Sequence, residues 1–575
     1  MVSPNLAKHA EDDRSVEING DTKKLFQVIY SEKNKQDETE EDTPKIRVST
    51  LISRVAFFYE KVRNAVDYEE EHLLRKNAIA RILRRQIVIE GVVKETDSVK
   101  ISEHLLVELI RGSYLPNNKI PETKIAEISA LLEKYISLKN KIAAKINADL
   151  SLKTDINKAK GLIGEKNKLI HWIISLAACE IEENLGPNPI KQTIVDNLFS
   201  VLHKNVKLPA DLPYENDLDI QLYLSIGRTF SKFDTEMLGF ILFKYYNPQW
   251  MAISDEAGIS DQEDGLISEV AAHVLSLRAK IDAQLAHPLI KQLDRIVRVY
   301  ALYFSILSET IEGDPAKVYN ELQGGEKSFM ALVRKVCNKK YLKAKSRLWR
   351  AALRGIIYIF LTKSIFVVLI EVPAIKFFNE PLNPVSLGIN IAFPAVLLFV
   401  IVFFTHKPGE NNTAKILGGI KEVAFSGSEK KQPIVLRRTS RRNWLKDGIF
   451  HLIYAASFCF TVFVVIWALD KINFNWVSVI IFLFFLAFVS FFSVLTTKGV
   501  KELIIVERKE NLFTFLVDLF YMPIILVGRW LSSQFSKINV FIFLFDFIIE
   551  TPFKVLVEIA EDWTKYVRER RDNMD

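Results

Sequence analysis

The sequence has very little cysteine. Its 575 residues include three cysteines, Cys179, Cys337 and Cys459, which lie far apart along the chain. So low a count argues against an extracellular fold built on disulfides, and no two of these thiols have the spacing of a metal site. We therefore expect buried or idle thiols in a reducing compartment.

The sequence also lacks the motifs that accompany common enzyme chemistry. The nine histidines are scattered, without H-E-x-x-H, and there is no G-x-S-x-G, G-x-x-x-x-G-K-[ST] or G-x-G-x-x-G. We predict no catalytic residue, no metal ligand and no cofactor, and hence a protein that is not an enzyme. Residues 1–42 contain no apolar core of a signal peptide, so we expect the first spanning helix to direct membrane insertion.

Long apolar runs are present, and all of them come late in the chain. Four runs of about 20 residues each are long enough for a helix to cross a ~30 Å hydrocarbon core. They cover residues 355–378, 385–404, 449–469 and 477–495. Because a helix satisfies its own backbone hydrogen bonds in lipid, we predict a multi-pass integral membrane protein with four transmembrane helices, in two hairpins, within 355–498.

The preceding part of the chain reads as soluble and helical. Residues 1–46 are polar and charge-dense, which predicts disorder, with 24–30 as a short exception. Residues 47–338 show helical periodicity throughout and no strand alternation, so the predicted fold class is all-α. The clearest apolar face has steps of three or four residues and comprises Ile125, Ile128, Leu132, Tyr135, Ile142 and Ile146.

Positive charge is concentrated in the membrane half. Residues 339–575 contain 31 Lys and Arg against 19 Asp and Glu, whereas residues 1–338 contain 45 against 50. Because the soluble half is mildly acidic, the sequence argues against nucleic acid as a partner. Basic residues cluster in the juxtamembrane segment 339–354, in the loop 406–446 and after residue 498, and all three fall on one side of the predicted bundle. The positive-inside rule then places the soluble domain and the carboxyl terminus in the cytosol.

These basic segments predict contact with the bilayer surface. A Lys or Arg near an anionic surface gains about 1 kcal/mol. The residues that we expect to contact anionic lipid headgroups are Lys343, Lys345, Arg347, Arg350, Arg437, Arg438, Arg441 and Arg442.

The tail, 499–575, contains two further apolar segments. Residues 511–530 include Asp518 and Pro523, and residues 540–566 carry a polar stripe at four-residue spacing. A helix that is polar along one line can lie in the membrane interface. We favour an amphipathic tail that is interfacial or re-entrant, and an additional spanning pair is the alternative.

Four polar residues fall within, or next to, the apolar segments: Lys363, Glu371, Asn390 and Asp518. Ionisable residues at such depth are functional candidates. Lys363 and Glu371 are separated by about 12 Å along an α-helix, so we predict that they do not pair directly, and Asp518 is the alternative partner of Lys363. The alternative to a functional role is that Lys363 snorkels to the membrane interface or forms a pair that is purely structural. Asn390, with Pro394, indicates either a kink with an interhelical hydrogen bond or the broken helix of a transporter.

Three hypotheses for function follow. The favoured one is a scaffold that recruits partners or organises the membrane, with a protein partner or a second copy bound through the helical domain. The alternatives are a small-solute or ion transporter or channel that uses the intramembrane polar residues, and a membrane-bound enzyme of unidentified chemistry. We recognise no characterised family in the motifs of this chain.

The predicted topology can be tested with single cysteines in a variant without native cysteine. We expect Asn411→Cys, in the loop 406–446, and Lys166→Cys, in the helical domain, to react with a membrane-impermeant maleimide from the same face of sealed vesicles. Glu380→Cys, in the short turn, should react only from the other face. Labelling of Asn411→Cys and Lys166→Cys from opposite faces would contradict the topology.

Overall fold

Helices make up nearly all of the described chain. The computed structural model describes residues 18–38, 44–49, 60, 70–89, 97–151, 156–210, 212–253, 258, 260–323, 325–425, 433–437, 444–506 and 511–537, and the single residues 559, 563, 566 and 570. The strands that it describes are one parallel pair of two residues each, β1 (Val206–Lys207) and β2 (Ile434–Val435). The predicted all-α class is therefore confirmed.

The chain forms two compact units. The helical unit contains residues 24–301 and 431–437, and the membrane unit contains residues 18–23, 302–425 and 444–537 within the described chain. The boundary falls at Ala301, inside a helix, whereas the sequence placed the end of the soluble domain at residue 338.

The first helix, α1 (Gly20–Glu38), contains the exception predicted at residues 24–30 and extends on both sides into residues for which the sequence predicted disorder. Leu25 and Ile29 lie one helical turn apart and are buried, which gives this polar segment an apolar face. Residues 44–49 are also ordered, because the amide of Ile46 donates to the carbonyl of Ile120 and Asn117 hydrogen-bonds the backbone of Val48.

Within the described residues, the helical unit continues with eight complete helices and the beginning of a ninth. They are α2 (Glu71–Arg84), α3 (Ser98–Arg111), α4 (Thr123–Ser151), α5 (Ile156–Leu185), α6 (Pro189–Asn205), α7 (Leu218–Thr229), α8 (Thr235–Tyr246) and α9 (Asp261–Leu285), followed by α10 (Ile290–Gly313), which crosses the unit boundary. A π-helical turn, Arg85–Ile89, extends α2, and 3₁₀ turns precede α7 and follow α8.

Local sequence explains several of these helix starts. Asp97 and Asp234 accept hydrogen bonds from backbone amides at the first turns of α3 and α8. Ser260 and Glu263 form a reciprocal capping box at α9. Asn188 caps α6, and Pro189 occupies its first position, where the absent N–H removes no helical hydrogen bond.

One core joins α2, α3, α4, α5, α8 and α9. The predicted apolar face of α4 is confirmed, with Ile125 partly buried and the other five residues buried. At the centre Trp250 is buried against Tyr135 and Phe243, with ring centroids 5.1 and 5.2 Å away. This aromatic packing fixes the 3₁₀ turn after α8 against α4.

The membrane unit begins with the end of α10 and contains α11 (Pro315–Gln323), α12 (Glu326–Phe366), α13 (Val372–Phe377), α14 (Pro384–Phe403), α15 (Glu410–Ala424), α16 (Trp444–Asp470), α17 (Trp476–Lys501) and α18 (Leu512–Lys537). A π-helical turn, Val367–Glu371, joins α12 to α13, so Glu326–Phe377 forms one continuous helical rod of 52 residues. The polybasic segment 339–354 is therefore part of the first spanning helix rather than a separate connection.

Five helices of the membrane unit are long and apolar enough to cross a bilayer, instead of the four predicted. They are Glu326–Phe377, Pro384–Phe403, Trp444–Asp470, Trp476–Lys501 and Phe515–Gln534. The fifth lies in the segment for which the sequence favoured an interfacial or re-entrant placement. A re-entrant segment needs a turn, but α18 passes Pro523 as one helix. The second tail segment, 540–566, lies outside the described residues apart from Ile559, Trp563 and Tyr566.

Helix α18 packs antiparallel against α17. The Tyr521 and Ser493 hydroxyls are 3.4 Å apart, and further along α18 the backbone at Gly528 contacts Ala487. A Cβ atom at residue 528 would clash with the Ala487 carbonyl oxygen, so this close approach requires glycine. The axes of α17 and α18 therefore run side by side, with opposite chain directions.

The two short turns between spans lie at the same end of the bundle. Asn379 and Asn473 adopt left-handed backbone conformations, which asparagine tolerates. Asn383 donates to the carbonyls of Ile472 and Asn473, and Asn475 donates to that of Pro381. These hydrogen bonds join turns that are about 90 residues apart in sequence, as the predicted hairpin arrangement requires.

Candidate functional site

Three of the four polar residues predicted within or next to the apolar segments meet in a buried cluster together with a serine. We call this cluster the polar tie: Lys363, Glu371, Asn390 and Ser478. All four side chains have no exposed area. Glu371 Oε1 accepts hydrogen bonds from Asn390 Nδ2 at 2.6 Å and from Ser478 Oγ at 2.7 Å. The carboxylate thus connects the first spanning helix to both α14 and α17.

Lys363 forms an ion pair with Glu371, with 3.8 Å between Nζ and Oε2. The prediction that these residues do not pair is therefore wrong. Eight residues of regular α-helix would leave about 80° between the two side chains. The π-helical turn inserts one residue, which reduces that angle to about 20° and shortens the separation to about 10 Å, within reach of two long side chains.

A proline accounts for the π-helical turn. Pro373 has no amide hydrogen, and its ring would clash with the carbonyl of Leu369, so a regular α-helix cannot pass this point undisturbed. Pro394 has a similar effect in α14, where the carbonyl of Asn390 loses its usual donor four residues later. Both prolines thus disturb a helix next to a member of the polar tie.

Aromatic rings complete the environment of Lys363. Its Nζ lies 3.9 Å from the ring centroid of Phe485 and 5.5 Å from that of Phe366. The two rings are themselves in edge-to-face contact. Cation–π attraction partly replaces hydration of the ammonium group.

The polar tie retains unused hydrogen-bonding capacity. Among the described residues, Lys363 Nζ, Glu371 Oε2 and Asn390 Oδ1 are buried without a hydrogen-bond partner. The arrangement can therefore hold three helices together by charge and hydrogen bonds.

Asp518, the other predicted partner of Lys363, does not join the polar tie. It is exposed, whereas Lys363 is fully buried. The α17–α18 register places Asp518 beyond Tyr521, toward the Lys498 end of α17. Its carboxylate lies near the end of the apolar stretch rather than at its centre.

Ser478 was missed in the sequence because a lone serine in an apolar run has no distinctive signal. Its helix does carry a row of small polar residues, Ser490, Ser493 and Thr497, which are all buried. Small polar residues at such spacing are typical of faces on which spanning helices pack closely. The row therefore indicates an internal face in the second half of α17, whereas Ser478, twelve residues before Ser490, lies about 120° around the helix from that residue.

A second polar connection lies at the basic end of the membrane unit. Asn412 Nδ2 donates to the Tyr341 hydroxyl and to the carbonyl of Leu503, and its Oδ1 accepts from the amides of Ile505 and Val506. One buried amide thus connects α12, α15 and the segment after α17. The basic regions around these residues consequently lie at one end of the unit.

The predicted lipid-contact residues divide into two groups. Lys343, Lys345, Arg347 and Arg350, the basic quartet, are exposed on α12 shortly before its apolar part. Arg437 belongs to the helical unit, where its backbone exchanges two hydrogen bonds with the Gln292 side chain. Arg438, Arg441 and Arg442 lie outside the described residues.

The helical unit also contains buried ion pairs. Lys76 contacts Asp234 and Glu236, and Lys134 Nζ lies 2.6 Å from Glu180 Oε1.

Burial raises the pKa of the nearby Cys179 thiol well above its usual value, which keeps it protonated and unreactive. Burial and the adjacent Lys191 lower the pKa of His72 to about 4, so this imidazole is neutral at physiological pH. These features stabilise packing, and among the described residues no group of three potential metal ligands occurs.

The ion pair can be tested with a double-mutant cycle. Lys363→Leu leaves the Glu371 charge buried and unpaired, so we expect it to destabilise the membrane unit by about 3–5 kcal/mol. Lys363→Leu combined with Glu371→Gln should recover most of this loss, because glutamine still accepts from Asn390 and Ser478. Reversible unfolding in mixed micelles measures the effect, with Lys376→Leu at the exposed turn as the control. Additive effects of the two substitutions would show that the pair is not coupled.

Because comparisons with known proteins found no match, any functional assignment rests on the geometry described above. The chain matches no protein-family model, no curated protein and no solved structure.

Proposed function

We propose that the chain is a non-enzymatic, multi-pass membrane protein that holds its helical unit at an anionic membrane surface and serves as a scaffold for partner proteins. The observation that carries this proposal is the helical rod Glu326–Phe377. This one continuous helix contains both the exposed basic quartet and an apolar span. The polar residues of that span, Lys363 and Glu371, are fully buried in the bundle.

The sealed polar tie supports an anchoring role over a transport role. A solute path needs polar side chains that water can reach, whereas Lys363, Glu371 and Asn390 have no exposed area. Their contacts join the first spanning helix, α14 and α17. Interactions of this kind fix the arrangement of spanning helices.

The proposed orientation follows from the two ends of the bundle. Asn412 brings together basic regions at one end, and the asparagine-linked turns occupy the other. By the positive-inside rule the basic end faces the cytosol. Since α18 is antiparallel to α17, residue 537 lies toward the turn end, so a cytosolic carboxyl terminus requires the chain to cross once more after this residue.

Contact between the basic quartet and anionic lipid can be tested by charge reversal. We expect a variant with Lys343, Lys345, Arg347 and Arg350 all changed to Glu to lose most of the thermal stabilisation that anionic lipid gives the wild type, because each residue contributes about 1 kcal/mol near such a surface. Unfolding temperatures of the full chain in neutral and in mixed neutral–anionic nanodiscs measure this. Lys160→Glu with Lys168→Glu, at exposed positions of the helical unit, is the control.

The scaffold role itself requires a stable complex. After cross-linking in native membranes and mild detergent extraction, the full chain should migrate well above its monomer mass of 66.0 kDa. Recovery of a monomer alone, with neither partner nor second copy, would contradict the scaffold, whatever the lipid result.

Transport is the second candidate, and a specific observation favours it. Pro373 and Pro394 disturb two helices beside polar atoms without hydrogen-bond partners, which is the arrangement expected where a helix breaks around a solute.

Water access separates the two functions. On the scaffold proposal, cysteines placed at Ile359, Phe366 and Ser478 in a cysteine-free chain should resist charged thiol reagents from both faces of sealed vesicles. A site in the short turn outside the bundle, Glu380→Cys, shows that the reagent is active. Reaction of two or more of the three bundle positions would favour transport.

A further inference from the structure

Arg529 is an exposed arginine on a helix that otherwise presents apolar side chains at this level. Its guanidinium has no hydrogen bond or ion pair within the part of the chain that the structure describes. On the same outward face of α18, Met522, Leu526 and Trp530 recur every four residues, and their exposed fractions are 48, 41 and 59 %. This surface, which we call the α18 face, is apolar around a single positive charge.

The register of α18 against α17 places Arg529 level with the middle of α17. The adjacent residue, Gly528, contacts Ala487, which lies near the centre of α17. Lys363 contacts Phe485, only two residues from Ala487. The two cations therefore lie at similar depth, one inside the bundle and the other on its outside.

The environments of Lys363 and Arg529 differ. Lys363 is paired with Glu371 and covered by aromatic rings. An unpaired arginine within the apolar part of a spanning helix is unfavourable on insertion scales. Pairing with a carboxylate at the same depth would remove much of this cost, because neither charge would then face hydrocarbon alone.

We propose that the α18 face docks a transmembrane helix of a partner protein that carries an Asp or Glu at mid-bilayer depth, paired with Arg529. The inference rests on the proposed function, since it names the class of partner that the scaffold recruits. The carboxylate provides specificity, and Met522, Leu526 and Trp530 provide the apolar contact around it.

A second copy of this chain fits the α18 face less well. The described carboxylates of the membrane unit lie buried in the polar tie, near the ends of the spans, or outside them. Two copies that met through this face in parallel orientation would bring two arginines together, and this repulsion disfavours a symmetric pair.

The test uses a designed Leu-rich transmembrane peptide with one central Asp, and matched peptides with Leu or Lys at that position. The fluorescently labelled full chain and each peptide are reconstituted in neutral phosphatidylcholine vesicles, and energy transfer measures association. We expect the Asp peptide to bind about tenfold more tightly than the Leu peptide, which corresponds to about 1–2 kcal/mol for a polar contact in a bilayer.

Variants at residue 529 separate charge pairing from apolar adhesion. Arg529→Leu should abolish the preference for Asp, Arg529→Lys should retain part of it, and Arg529→Glu should prefer the Lys peptide. Lys376→Leu, which removes a cation at the exposed turn, should behave as the wild type.

Three outcomes would overturn the inference. These are equal binding of the Asp and Leu peptides, an Asp preference that survives Arg529→Leu, and Arg529-dependent energy transfer between two labelled copies without peptide, which would assign the face to self-association. In each case the scaffold role is judged separately, by complexes cross-linked in native membranes. Loss of the Asp preference with those complexes intact rejects the α18 face alone.

Discussion

The membrane unit depends on one constraint, namely that a charge in hydrocarbon must meet an opposite charge. Glu371 satisfies this constraint by facing Lys363 with one oxygen while the other accepts from α14 and α17. Removing either charge would leave its partner buried and unpaired, which is far more costly than never having the pair. Three helices are therefore fixed relative to one another by a single carboxylate.

Sequence patterns predicted the features that depend on local rules. The four apolar runs, the all-α class and the apolar face of α4 follow from segment length and periodicity, and the structure contains each of them. The caps at Asp97, Asp234 and Ser260 were not among the predictions, but residue type explains them. Contacts between residues within one or two helical turns of each other can be predicted almost entirely from the sequence.

Features that depend on an irregular helix or on distant contacts could not be read in this way. The pairing of Lys363 with Glu371 requires a π-helical turn, and a calculation with regular helical geometry gives the opposite answer. The ordering of α1 depends on burial of Leu25 and Ile29, which a count of charged residues does not reveal. The depth of Arg529 follows only from the α17–α18 register, which a glycine at position 528 makes possible.

The 52-residue rod has a mechanical consequence. About 29 of its residues, 326–354, precede the apolar part, and at 1.5 Å per residue they form an arm of about 43 Å. Such an arm amplifies any change in the angle at which the apolar part crosses the bilayer. A change in tilt of about 10°, well within the range that spanning helices show, would move the distal end of a rigid arm by about 7 Å. A change in bilayer thickness, to which a spanning helix can respond by tilting, would thereby move whatever the beginning of the rod contacts.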